Sequence, residues 1–182
     1  MAVLETVVIA FWAMLPAYVP NNVAVLAGGG RPIDGGRTWN EKRLLGDGKT
    51  WRGTAVGTAV GAVLALALNA VAGDVGAATG IEDLPTFPPE VVLALPLGAM
   101  LGDMTASFLK RRTGRDRGAP FPGVDQLDFV VVSLALAFVV APGWFLETFT
   151  LGVLLVVVIM TPVLHVGTNV AAYWLGLKNE PW

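Results

Sequence analysis

The chain has 182 residues, a length suited to one domain, with 12 Lys and Arg against 14 Asp and Glu and a net charge of −2. Apolar residues make up 54% and charged residues only 14%, where soluble domains carry about a quarter charged, and the mean hydropathy is +0.65. This excludes a disordered chain; a pI near 5.3 argues against a nucleic-acid partner, and the absence of cysteine with a single histidine excludes disulfides, thiolate chemistry and histidine-rich metal cages.

Five apolar stretches are long enough to cross a hydrocarbon layer about 30 Å thick, which takes about 20 helical residues. In chain order they run from about Val3 to Ala27, Gly53 to Ala72, Glu90 to Leu109, Leu127 to Phe145 and Thr148 to Leu177. The first has neither a basic leader nor a small-residue cleavage site, so it reads as a span rather than a signal peptide. Pro142-Gly143 marks a turn between the last two. The fold class expected is an all-α integral membrane protein of five transmembrane helices, one membrane-embedded domain over residues 1–182.

The bases are placed one-sidedly. Arg31, Arg37, Lys42, Arg43, Lys49 and Arg52 fill the first gap. Lys110, Arg111, Arg112, Arg115 and Arg117 fill the third, and Lys178 lies in the tail. The second gap carries Asp74, Glu82, Asp83 and Glu90 instead. Short loops rich in Lys and Arg stay cytoplasmic. The expected topology therefore has the N-terminus outside, the C-terminus inside and two long basic loops in the cytoplasm.

Acids are mixed into these basic loops, which charge bias alone does not explain. Asp103 falls inside the third span, where an ionisable group costs at least about 2.5 kcal/mol unless it is partnered. A salt bridge to Lys110 is one partner; a metal ion is the other. Ser107 and Lys110 follow on the same helix face. Asp125 and Asp128, three apart at the start of the fourth helix, share a face and join Asp103 as an oxygen-rich cluster of the kind that holds Mg²⁺. Glycine-rich loops allow backbone amides to approach phosphate, and no Walker pattern is present. His165 and Asn169, one turn apart on the last helix, fit either an interhelical hydrogen bond or a polar contact with a ligand.

Three elements resemble the CDP-diacylglycerol synthase family. Gly48-Lys49-Thr50-Trp51-Arg52-Gly53 is similar to its Lys-Thr-x-x-Gly element. The run from Gly102-Asp103 through Ser107 to Lys110-Arg111 is similar to Gly-Asp-x-x-x-Ser-x-x-Lys-Arg, and Pro122-Gly123-Val124-Asp125-Gln126-Leu127-Asp128 to the closing Pro-Gly…Asp-Arg-x-Asp. Gln126 stands where that family has a base, and the stretch from Lys110 to Asp125 is shorter than in the bacterial enzymes. The short chain, with Pro20-Asn21-Asn22 and the run Gly30 to Gly36, resembles the archaeal branch over nearly its whole length. The resemblance implies a cytidylyltransferase that joins CTP to an isoprenoid ether-lipid phosphate (unsaturated archaetidic acid), releasing pyrophosphate. It implies Mg²⁺ on Asp103 and Asp125, with Asp128 as third carboxylate or behind them. Lys49 and Thr50 would hold CTP phosphates, and Ser107, Lys110 and Arg111 phosphates of either substrate. Asn21, Asn22 and Asp34 would touch cytidine or order the first loop, and His165 and Asn169 would sit near the lipid head. The expected partners are CTP, the lipid phosphate, the bilayer of the cell membrane and a second copy of the chain, with no nucleic acid. Two other classes compete: a CDP-alcohol phosphotransferase, of whose pattern only Asp125-x-x-Asp128 is present, and a small ion-coupled transporter with Asp103 in its path.

Overall fold

The computed structural model describes residues 3–81, 84–115, 121, 123–174 and 176. Glu82, Asp83, Asp116, Arg117, Pro122 and Lys178 lie outside the described residues. The elements are α1 (Val3–Leu26), β1 (Thr38–Trp39), β2 (Lys42–Arg43), α2 (Trp51–Thr79), α3 (Pro89–Arg112), α4 (Val124–Val140), α5 (Pro142–Thr148) and α6 (Leu151–Trp174).

Among the described residues, four helices are long and apolar enough to cross a membrane: α1, α2, α3 and α6. The fourth expected span is shorter than its apolar run suggests. It ends at Val140, because Pro142 cannot continue the ladder and opens the separate seven-residue α5. At 17 residues, α4 is about 25 Å long. The second span is longer than expected, since α2 continues past Ala72 and Asp74 to Thr79, where Gly80 at φ 73° caps it. Nor is the chain helical throughout: the first basic loop contains an antiparallel hairpin pairing Thr38 with Arg43 and Trp39 with Lys42.

Close backbone packing fixes how the helices run. A Cβ placed on Gly53, Gly57 or Gly61 of α2 would lie 3.0, 2.8 or 2.7 Å from the carbonyl oxygens of Ala24, Pro20 and Pro16 in turn. As one helix ascends the other descends, so α1 and α2 are antiparallel. Gly61 also meets Pro96 and Gly57 meets Met100, making α2 and α3 antiparallel too. On α3, Gly98 packs on Ser133 and Gly102 on Asp128 and Phe129, so α4 runs against α3. Glycines at four-residue spacing let helices in lipid approach backbone to backbone. The last helix runs parallel to α1, because Gly152 meets Thr6 and the Thr161 hydroxyl bonds the Tyr18 hydroxyl at 2.9 Å. The C-terminal ends of α1, α3 and α6 and the N-terminal ends of α2 and α4 therefore gather at one end of the bundle.

Both ends are tied by side chains. At the end away from the basic loops, the Asn69 amide donates to Phe87 O at 2.8 Å and accepts from Phe87 N at 2.7 Å. The indoles of Trp12 and Trp144 donate to Pro85 O and Thr86 O at 3.0 and 2.7 Å. At the other end, Arg52 caps α1 by donating to the carbonyls of Ala27 and Gly28. The first helix passes through Pro16 and Pro20 and carries Asn21 and Asn22 inside its last turns.

Candidate active site

The polar residues concentrate where α3 and α4 touch. Gly102 makes this contact possible, since a Cβ there would stand 2.5 Å from Asp128 O and from Phe129 Cα. The next residue, Asp103, is thereby set beside the first turns of α4. Its Oδ2 accepts from Lys49 Nζ. Lys110 pairs instead with Asp125, at 2.6 Å, so the Asp103–Lys110 bridge open from the sequence is not the one formed. The other Asp125 oxygen accepts from Phe121 N at 2.9 Å. Asp128 is half-buried, its Oδ1 takes the Phe129 N–H at 2.6 Å, and Asp103, Asp125 and Lys49 all lie within its electrostatic reach. Lys49, Asp103, Lys110, Asp125 and Asp128 thus form one alternating cluster of charge.

Arg111 approaches from the same helix end. Its Nη2 lies 3.4 Å from where a Cβ of Gly46 would be, and its Nη1 donates to Arg115 O at 3.3 Å. Gly46, at φ 96°, turns the chain so that Lys49 faces α3. Ser107 is half-buried between Asp103 and Arg111, one helical turn from each. At Gln126, where the resemblance leads one to expect a base, the side chain accepts from Gly123 N at 2.5 Å and caps α4.

The other expected site residues make contacts outside this cluster. The Thr50 hydroxyl is buried and accepts from Gly53 N at 3.1 Å, the N-cap of α2. Asp34 orders the first loop. It is 6% exposed, meets Arg43 at 2.6 Å and accepts the backbone N–H groups of Gly36, Leu45 and Gly46. The guanidinium of Arg43 and those amides hold its carboxyl well below the usual carboxylate range. Asn22 is exposed and bonds back to Tyr18 O at 3.5 Å, while Asn21 Oδ1 is buried with no hydrogen-bond partner among the described residues. Asn169 and His165 face each other at 3.4 Å on α6, His165 one turn beyond Thr161.

The donor set bears on a metal. Among the described residues no three His, Cys, Asp or Glu side chains gather as a cage, so the expected ring of Asp103, Asp125 and Asp128 is not closed. What is present is two partly exposed carboxylates, Asp103 and Asp125, with lysines beside them. That fits a hard cation which takes one or two carboxylates and completes its shell with water and phosphate oxygens, as Mg²⁺ does.

Sequence reasoning passed over Arg112, the Tyr18–Thr161 pair and the glycine seams. The spacing Gly53-x-x-x-Gly57-x-x-x-Gly61 and Gly98-x-x-x-Gly102 was a readable signal for the seams; the other two had none.

The CarS-like family, described as CDP-archaeol synthase, matches residues 3–182. CDP-archaeol synthase of Halorubrum lacusprofundi is 71% identical over 95% of this chain and 96% of its own. That of Haloarcula marismortui is 70% identical over the full length of both, and that of Methanosarcina acetivorans 49% identical over 93% of this chain and all of its own. A solved structure of an intramembrane enzyme for archaeal membrane lipid biosynthesis superposes with a TM-score of 0.71 at 37% identity, covering 88% of this chain and 92% of that one.

Proposed function

Because the chain belongs to the CDP-archaeol synthase family, we propose that it transfers CMP from CTP to an isoprenoid ether-lipid phosphate, unsaturated archaetidic acid, giving the CDP-lipid and pyrophosphate. The observation that carries the reading is the paired cluster Lys49–Asp103 and Lys110–Asp125 around Asp128, set at one end of an apolar bundle.

The chemistry asks for charge and alignment more than for proton transfer. An oxygen of the lipid phosphate attacks the α-phosphorus of CTP, and the bond to the β-phosphate bridging oxygen breaks. The nucleophile is already anionic near neutral pH, so a site with one histidine and no cysteine suffices. Two anions must be brought together, and Lys49, Lys110 and Arg111 offset their repulsion and the charge that develops on the leaving pyrophosphate. In the free enzyme Asp103 and Asp125 keep the two ammonium groups poised; with CTP present those groups turn to phosphate oxygens. Asp103 and Asp125 would hold Mg²⁺, with Asp128 behind them, and the ion would neutralise the triphosphate and polarise the α-phosphorus. Ser107 donates to a phosphate oxygen, and the exposed Asp47-Gly48 turn offers its backbone to the nucleotide. Two held substrates also react faster for being aligned in line.

In the membrane, α4 is the fifth crossing, its shortness compensated by the polar turns that open it at the site. The alternation of helix direction supports this count, and the positive charge of both site loops supports a cytoplasmic site. CTP then arrives from the cytoplasm, whereas the lipid phosphate arrives sideways between helices, its head near His165 and Asn169. This chain has no cysteine, so single cysteines at Asp74, Arg37 and Arg115 report sidedness: external reagent labels the first and spares the other two. Labelling of Arg37→Cys or Arg115→Cys in sealed oriented membranes overturns the topology.

The function is tested with purified protein, labelled CTP, Mg²⁺ and candidate lipid phosphates. A CDP-lipid and one equivalent of pyrophosphate are expected, both lost in EDTA. No nucleotide transfer to any isoprenoid lipid phosphate refutes the activity, and full turnover in EDTA refutes the metal.

A further inference from the structure

Arg112, the last residue of α3, reaches away from the charge cluster to the hairpin of the first loop. Its Nη1 donates to Trp39 O at 2.6 Å, and its Nη2 donates to Lys42 O and Arg43 O, both at 3.1 Å. Its guanidinium carbon stands 5.3 Å from the Trp39 ring and 5.5 Å from the Phe108 ring, themselves 6.1 Å apart. One side chain therefore grips both strands and lies against an aromatic of the loop and one of the helix, which also touch each other.

The hairpin needs such a grip. Each strand has two residues, and its turn holds Asn40 and Glu41 at φ 50° and 63°. A tight hairpin of this kind demands two left-handed residues. Asn accepts that conformation readily and Glu does not, and an isolated two-stranded hairpin is marginal in water. The loop and the helix end are also both rich in bases, Arg37, Lys42 and Arg43 on one and Lys110 and Arg111 on the other. A guanidinium that donates to neutral carbonyls can join two like-charged segments without drawing a carboxylate out of the site. From the hairpin the order passes inward: Arg43 holds Asp34, Asp34 gathers Leu45 and Gly46, and Lys49 follows onto Asp103.

We propose that Arg112 is a positioning residue for the CTP half of the site: it clamps the 38–43 hairpin to the end of α3 and so sets the Gly46–Lys49 turn against Arg111 and Asp103. The proposal rests on the cytidylyltransferase reading for its kinetic consequence and on geometry alone for its structural one. Charge alone cannot perform this task; the planar fork that reaches several carbonyls at once is what matters, and lysine lacks it.

The test uses the full-length protein in detergent with Arg112→Ala and Arg112→Lys. Both variants raise the KM for CTP by about tenfold or more, the scale of a lost charge-assisted hydrogen bond, and leave the KM for the lipid phosphate within about twofold. Both speed the first tryptic cut within residues 37–43 by a similar factor, and the thermal midpoint of the bundle stays where it is. A Lys variant with the wild-type KM for CTP overturns the clamp, because a charge at the phosphates would then suffice. Unchanged trypsin resistance overturns it too, as does a loss of thermal stability with both KM values rising together. If the wild-type protein makes no CDP-lipid the activity reading falls, and the tryptic cut still decides on the clamp.

Discussion

The two ends of the bundle are tied by different chemistry. At one end, Asn69, Trp12 and Trp144 hold the connection before α3 through neutral donors on backbone carbonyls. At the other, Lys49, Lys110 and Arg43 hold loops and helix ends through ion pairs with Asp103, Asp125 and Asp34. A neutral hydrogen bond to a carbonyl has no better partner to offer a passing anion. An ammonium on a carboxylate does, since a polyphosphate brings more charge to the same place. The neutral end is thus a fixed staple, and on the proposed function the charged end exchanges partners with the substrate.

Four changes break or sharpen this contrast. The largest effect is expected from Asp103→Asn or Asp125→Asn, each lowering turnover about a hundredfold to a thousandfold with the thermal midpoint little changed. The double variant is no worse than the poorer single one if both act on one ion, and a near-normal rate for Asp103→Asn removes the charged end from the chemistry. Next, Lys49→Ala raises the KM for CTP, about ten- to a hundredfold for a lost charged hydrogen bond, and spares that for the lipid. Steady-state kinetics in both substrates checks this, and a lipid-only defect reverses the assignment of the two halves.

At the staple end, Asn69→Ala leaves the Phe87 N–H and carbonyl unpaired and costs about 1–3 kcal/mol of stability, with both KM values unchanged. Thermal unfolding with parallel kinetics separates the two readouts; a selective rise in the KM for CTP would abolish the distinction between the ends. The smallest effect concerns pH. The Asp34 carboxyl is held below its usual range by Arg43 and the loop amides. Its contribution is therefore complete above about pH 4, where an unfolded-chain aspartate is ionised, and is lost as pH falls from there through the lower folded value. Hydrogen exchange at Leu45 and Gly46, corrected for intrinsic rate, should show constant protection from pH 5 to 8 and a loss in acid, and Asp34→Asn should lose it throughout.

The sequence made the spans and their charged loops readable because lipid imposes length and the positive-inside rule imposes charge. The motif residues Lys49, Asp103, Lys110 and Asp125 were readable too, but not which lysine meets which aspartate. That choice follows from the turn at Gly46 and the α3–α4 contact at Gly102, both tertiary. The hairpin stayed hidden because Asn40-Glu41 lacks the glycine that announces such a turn, and its strands are too short to alternate. Thr50 was legible as motif, but its hydroxyl also caps α2, a second role open to any hydroxyl before a helix. The end of α4 was overrun because hydropathy continues through Pro142 while the hydrogen-bond ladder does not.

The glycines of α2 make one further demand. Gly53, Gly57 and Gly61 meet Ala24, Pro20 and Pro16 as teeth of equal pitch meet a rack. Pro20 has no N–H, so the Pro16 carbonyl has no donor from its own helix and lies open to that contact. A slip of one, two or three residues drives a methyl or larger group into a carbonyl, and even a four-residue step, about 6 Å, restores only two of the three contacts. Such a step would lift Lys49, two residues before α2, clear of Asp103. Sliding between α1 and α2 is thus opposed at three contacts. The height of the ammonium above the carboxylate is accordingly a gear setting of the bundle, fixed about one to three turns along α2 by glycines outside the charge cluster.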